Sequence, residues 1–126
     1  MPETHLHLAE ALYLKGNTEG ALERYYVAVE WDHDYIEAWT QLGCLHNELG
    51  DPEAALQAFE IALQVHPDYP DAHLHTAEVL HQLNRVEEAV PHWKIYLEFD
   101  EMGPWADMAR QRLEEFEDDD EELTFP

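Results

Sequence analysis

Residues 35–67 read YIEAWTQLGCLHNELGDPEAALQAFEIALQVHP, and the reading of this stretch decides the fold. Trp39, Leu42, Gly43 and His46 recur at intervals of three and four, the period that puts side chains on one side of a helix. Gly50-Asp51-Pro52 stops that helix and caps the next. Ala55, Leu56, Phe59, Ala62 and Leu63 then form a second apolar stripe, which Pro67 ends. The stretch is two helices joined by a tight turn.

The same chemistry returns when the chain is shifted by 34 residues. Ala21, Ala55 and Ala89 fall into register, as do the aromatics Tyr25, Phe59 and Trp93, the acids Glu19, Glu53 and Glu87, and the apolar set Val29, Leu63 and Leu97. Small residues align at Ala9, Gly43 and Ala77, and turn residues at Gly16, Gly50 and Asn84. Pro2, Pro70 and Pro104 lie on the same grid, each ahead of a helical pattern, where proline forfeits no hydrogen bond. A fixed period of this length marks a repeat architecture. The pattern predicts helices over about 3–15 and 18–31 in the first copy, one from about 35 to 49 opening the second, about 70–83 and 86–99 in the third, and a seventh over about 104–117.

The run Ala38-Trp39, Leu42-Gly43, Gly50-Asp51, Ala55, Phe59, Ala62-Leu63 and Pro67 resembles the tetratricopeptide repeat, a helix-turn-helix unit of the same length. The resemblance covers residues 2–117 as repeats over about 2–35, 36–69 and 70–103, followed by a capping helix over 104–117. It departs from the family pattern at Thr76, Tyr96, His33 and Glu101. The fold it implies is all-α: a right-handed α-α superhelix, or solenoid, of antiparallel helix pairs with seven helices. The physics agrees, because one helix pair cannot bury its own stripe and must stack on the next. In such a stack Ala and Gly mark the close approaches, and Tyr25, Phe59 and Trp93 fill the space between units.

The resemblance also implies a concave face lined by the first helix of each repeat. Its peptide-binding positions here are Leu6, His7, Glu10, Tyr13, Gln41, Cys44, Asn47, Glu48, Asp71, Leu74, His75, Glu78, His81 and Arg112. Acids dominate this set, with Arg112 as its permanent cation, and Leu6, Tyr13 and Leu74 supply apolar patches. Such a face favours a basic or amphipathic peptide. Relatives that hold the acidic C-terminus of a chaperone use a clamp of Lys, Asn and Arg; the corresponding positions here are Leu6, Glu10, Gln41, Asp71 and His75, so the clamp is absent.

Charge supports the same direction. The 126 residues carry six Lys and Arg against 29 Asp and Glu, a net charge of -23. Nucleic acid and anionic membranes need a basic footprint that this composition excludes. The length suits one domain with one core. Without a basic, apolar leader or a long apolar run, the expected location is the cytoplasm. The acid excess also resembles proteins adapted to high salt, which would account for the charge without any basic partner.

Chemistry-bearing residues are few. The nine histidines include His5 with His7 and His73 with His75, but rings two residues apart on a helix diverge by about 200° and do not chelate. His5, His46 and His73 fall at packing positions. Cys44 has no cation beside it to activate the thiol, and no phosphate loop or nucleophile elbow occurs. Trp31, Trp39, Trp93 and Trp105 read as packing residues. The expectation is a non-catalytic protein-binding scaffold with no cofactor and no metal.

Two other roles fit the sequence. The first helix is apolar on more than one side at Leu6, Leu8, Leu12, Tyr13 and Leu14, which suits a module that oligomerises through its terminal helices. The segment from Pro91 to Asp107 resembles the ends of bacterial repeat modules appended to larger regulators, which implies the interaction part of a larger bacterial regulatory system. From residue 118 to 126 the chain reads as an acidic, disordered tail, in which Leu123 and Phe125 offer apolar docking points.

Overall fold

The computed structural model describes the backbone of residues 2–124 and the side chains through 118. It is all-α among the described residues, with α1 Pro2–Leu14, α2 Thr18–Trp31, α3 Ile36–Glu48, α4 Pro52–Val65, α5 Pro70–Gln82, α6 Val86–Phe99 and α7 Pro104–Thr124. The first six helices match the periodicity to within one or two residues. The seventh does not end near 117: its helical backbone runs on to Thr124, through the acidic block. The extension passes through Asp118, Asp119 and Asp120, poor helix formers, before it reaches Glu121 and Glu122, so residue preference does not account for it. Residues 125–126 and the side chains of 119–124, among them Leu123 and Phe125, lie outside the described residues.

The turns between the helices of each pair share one device. Gly16 and Gly50 both take φ of +85°, and Asn84 takes φ of +59° at the same register position. Asparagine is the non-glycine residue that tolerates this left-handed region best. Asn17 and Asp51 then cap the following helices, their side chains accepting hydrogen bonds from the backbone N–H of Gly20 and Ala54 at 2.9 and 3.1 Å. Arg85 holds the equivalent place before α6 without such a bond, and instead forks onto Glu88 at 2.6 and 2.9 Å.

The chain divides into two compact units, Met1–Ala72 and His73–Pro126, instead of forming one core. In a repeat chain each helix packs on its sequence neighbours, so compactness is local. In the first unit α1 pairs with α2, α3 with α4, and α2 with α3. Its core joins Leu6, Ala9, Ala21, Tyr25, Ala28, Val29, Ala38, Trp39, Leu42 and Leu45, with Ala58 and Ala62 from α4. Gly43 lets α3 and α4 touch, because a methyl there would lie 2.3 Å from the ring of the fully buried Phe59. In the second unit Trp93 is fully buried, α6 packs with α7, and the buried His73 meets His92 at 2.9 Å between their Nδ1 atoms.

The tryptophans split two and two. Trp39 and Trp93 are packing residues as expected, and the Trp39 indole N–H donates to the His33 carbonyl at 2.7 Å. Trp31 and Trp105 are 65% and 53% exposed and pack in no core. Both sit at helix ends, where the apolar stripe no longer meets a neighbour.

Candidate functional site

Within the first unit, three helices build a small cleft. Gln41, Cys44 and Glu48 are three and four residues apart on α3 and share a face, joined by Leu45; α1 adds Tyr13 and α2 adds Tyr25. These six residues line a cavity of about 100 Å³. The Tyr13 hydroxyl donates to Glu48 Oε1 at 2.7 Å, which ties the end of α1 to the end of α3.

Acids neighbour this cleft: Glu48 lines it, and Glu10 and Asp71 lie near enough to act on its lining. The Tyr13 hydroxyl is held above its ordinary range by its hydrogen bond to Glu48 and by that carboxylate's charge. Burial pushes the Cys44 thiol up to about 11, and Glu48 and Asp71 add to the rise. Burial pushes Tyr25 up to about 12, with Glu10 as the next contributor. Tyr35 and Tyr69 are raised mainly by burial and then by Glu37 and Asp71 respectively. A thiol so shifted is protonated at neutral pH and is no nucleophile.

Of the residues expected on the binding face, Tyr13, Gln41, Cys44 and Glu48 meet in this cleft. Glu10 and Asp71 are exposed, and Asn47 is half-buried. His7 is exposed, with Nδ1 3.7 Å from Glu10 Oε2. Leu6 is not on the face: it is 3% exposed and belongs to the core, where the inward stripe of α1 needs it. His46 packs as expected, its Nε2 2.7 Å from the Tyr26 hydroxyl.

In the second unit Leu74 is likewise core, at 4% exposed, and offers nothing to a partner. Glu78 accepts from the Trp93 indole N–H at 3.3 Å and lies 3.6 Å from the Arg112 guanidinium. Arg112 is thus partnered by an acid within its own unit and is not the open cation that the sequence suggests. His81 stands edge-on to Trp93 at 5.8 Å between ring centres, and His75 is half-buried. Phe116 borders a separate shallow depression with Asn84, Arg85 and Val86. Among the described residues no three His, Cys, Asp or Glu are grouped to hold a metal.

Sequence reasoning assigned Tyr25 to packing and missed its place in the cleft. One signal marked it: the same register position holds Phe59 in the second repeat, a ring of the same size without a hydroxyl.

A tetratricopeptide repeat profile matches residues 40–100, and a second of the same description matches residues 2–25. No curated protein matches the chain. Among solved structures, MamA superposes with a TM-score of 0.75 at 22% identity, over 79% of this chain and 58% of that one. The chain therefore spans a little over half the length of MamA. The Yersinia enterocolitica type III secretion chaperone SycD, in complex with a peptide of the translocator YopD, gives 0.83 at 21% identity, covering 91% of each chain. The first repeat domain of Spaghetti (RPAP3), bound to the HSP90 peptide SRMEEVD, gives 0.83 at 15% identity over 91% of this chain and 92% of that one. These likenesses show the fold, an all-α helical-repeat solenoid. Among the described residues no helix is long and apolar enough to cross a membrane.

Proposed function

The chain belongs to the tetratricopeptide repeat family, and from that premise we propose that it is a non-catalytic interaction scaffold whose first unit binds a basic or amphipathic segment of another protein in the cytoplasm. The observation that carries the reading is the cleft of Tyr13, Tyr25, Gln41, Cys44 and Glu48, whose charged surroundings are Glu10, Glu48 and Asp71. SycD and the Spaghetti domain each hold a peptide, which supports peptide binding as a class. An acidic peptide such as SRMEEVD suits this chain badly, since Glu10, Gln41 and Asp71 occupy the places of a basic clamp. The test is fluorescence anisotropy with a set of Lys-containing amphipathic peptides beside SRMEEVD, at low and high salt. Micromolar binding of basic peptides that weakens with salt supports the reading; tighter binding of the acidic peptide overturns it.

A second reading has its own observation. Leu14 is 84% exposed and Leu8 40%, both on α1, which supports self-association through that helix. A net charge of -23 opposes it at low salt. Light scattering over a dilution series separates the two, since a species that grows as salt rises favours assembly.

A further inference from the structure

Two features of the first-unit cleft are not explained by the fold. Tyr25 is 4% exposed, yet its hydroxyl makes no hydrogen bond among the described residues. The hydroxyl opens on the cleft and meets its solvent, with no partner from the fold. Packing does not require the hydroxyl, because Phe59 fills the same register position, fully buried, with a bare ring. Glu48 is the second feature. One of its oxygens accepts from Tyr13, and a carboxylate has about four acceptor sites, so acceptor capacity remains toward the cleft. Gln41 lines the same cleft from two turns earlier on the same face of α3.

We propose that this cleft is a socket for the ammonium group of one lysine side chain of the bound segment. The inference rests on the reading of the first unit as a binding face and names what enters it. An ammonium has three N–H donors and no acceptor, which suits the carboxylate, hydroxyl and amide oxygens among the residues that line the cleft. Glu48 is the counter-ion, Tyr25 supplies the hydroxyl that the fold leaves without a partner, and Gln41 supplies the amide oxygen. The lysine stem rests on Leu45 and the tyrosine rings, whose faces also attract a cation. The planar fork of an arginine needs a wider mouth and paired acceptors in one plane, so lysine is preferred.

The test titrates the full chain with Nα-acetyl-lysine N-methylamide, followed by amide NMR shifts of Tyr13, Gln41, Cys44, Leu45 and Glu48, with the norleucine and arginine analogues as controls. Saturable millimolar binding is expected for the lysine analogue, and at least about tenfold weaker response for norleucine, as loss of a charge-assisted hydrogen bond implies. Glu48→Gln should weaken lysine binding about tenfold or more, and Tyr25→Phe several-fold without lowering thermal stability. The Tyr25→Phe melt separates a ligand-facing hydroxyl from a structural one, which would lower the melting temperature on removal. Equal shifts with norleucine, an unchanged titration in Glu48→Gln, or no saturable shift would each overturn the socket. The two proposals fail separately. Basic peptides whose affinity survives replacement of every lysine by norleucine leave the scaffold reading standing and remove the socket. Lysine-analogue binding without any peptide binding does the reverse.

Discussion

Gly43→Ala is the smallest change that tests how the first unit is built. An alanine methyl at this point of α3 would lie 2.3, 2.6 and 2.7 Å from three carbons of the Phe59 ring. Carbon atoms pack at about 3.5–4.0 Å, so the ring or the helix must retreat by about 1 Å. Phe59 is fully buried and has no solvent-filled space to enter. Overpacking of this kind costs about 1–3 kcal/mol and more where relaxation is blocked. Alanine returns about 1 kcal/mol through its better helix propensity. With the ring enclosed the upper end of that cost applies, about 3 kcal/mol, so the net loss is about 2 kcal/mol, or about 5–10 °C in melting temperature for a chain of this size. Urea denaturation followed by circular dichroism measures it directly. The double variant Gly43→Ala/Phe59→Leu supplies the control: a smaller residue makes room, so the two changes should combine to less than their sum by about 1 kcal/mol or more. A Gly43→Ala protein as stable as the parent, or strict additivity in the double variant, would refute the close approach of α3 and α4.

Three other outcomes are expected. Gly50→Ala should cost about 1–2 kcal/mol for a reason unlike that at Gly43: no atom lies within 4 Å, and only the φ of +85° resists a side chain. Gly50→Asn should cost visibly less, since Asn84 already holds that turn in the third repeat, and equal urea midpoints for the two variants would contradict this. Cys44, with its thiol at about 11 against the ordinary 9.0, should react with maleimide about a hundredfold more slowly in the native than in the denatured chain at pH 8, and equal rates would contradict its burial. His92 is held below the ordinary 6.5 by burial and then by His73, so the unfolded chain binds more protons in that range. Its stabilising contribution is full above about 6.5 and is lost as pH falls through the lower folded value. His92→Leu should flatten the fall of melting temperature between about pH 7 and 5, and an unchanged slope would contradict the coupling.

The repeat was legible because it rests on positions where geometry permits few residues. Left-handed turns at Gly16, Gly50 and Asn84, close approaches at Ala9 and Gly43, and the aromatic at Tyr25 or Phe59 each follow from one steric demand, and a steric demand leaves a mark in a single sequence. The end of α7 left no such mark. At Asp118, Asp119 and Asp120 propensity and like-charge repulsion both disfavour helix, so the sequence pointed to an earlier end than the helical backbone shows. The candidate face was legible only in part for a related reason. A family register says which turn of a helix faces which way, and Tyr13, Gln41, Cys44 and Glu48, which it groups, line one cavity. It could not separate the face from the core beneath it at Leu6 and Leu74, where one residue of helical rotation decides between them. Nor could it pair Arg112 with Glu78, because contacts of long side chains depend on rotamers that no periodicity encodes.

What distinguishes one repeat from the next is then the more useful guide to function. Tyr25, Phe59 and Trp93 do the same packing in three copies and differ in polar atoms: a hydroxyl, none, and an indole N–H. The indole N–H of Trp93 donates to Glu78, which also stands by Arg112, so the third repeat closes its polar group internally. Phe59 has nothing to satisfy. In the first repeat the Tyr25 hydroxyl opens, with no partner from the described residues, on a cleft where Glu48 is bound through one oxygen to Tyr13 and where the neighbouring charges are acids. Packing at that position needs no hydroxyl, as Phe59 shows, and the one on Tyr25 faces the cleft. Oxygen acceptors and neighbouring acids coincide in this cleft, which is what the proposed lysine ammonium would use.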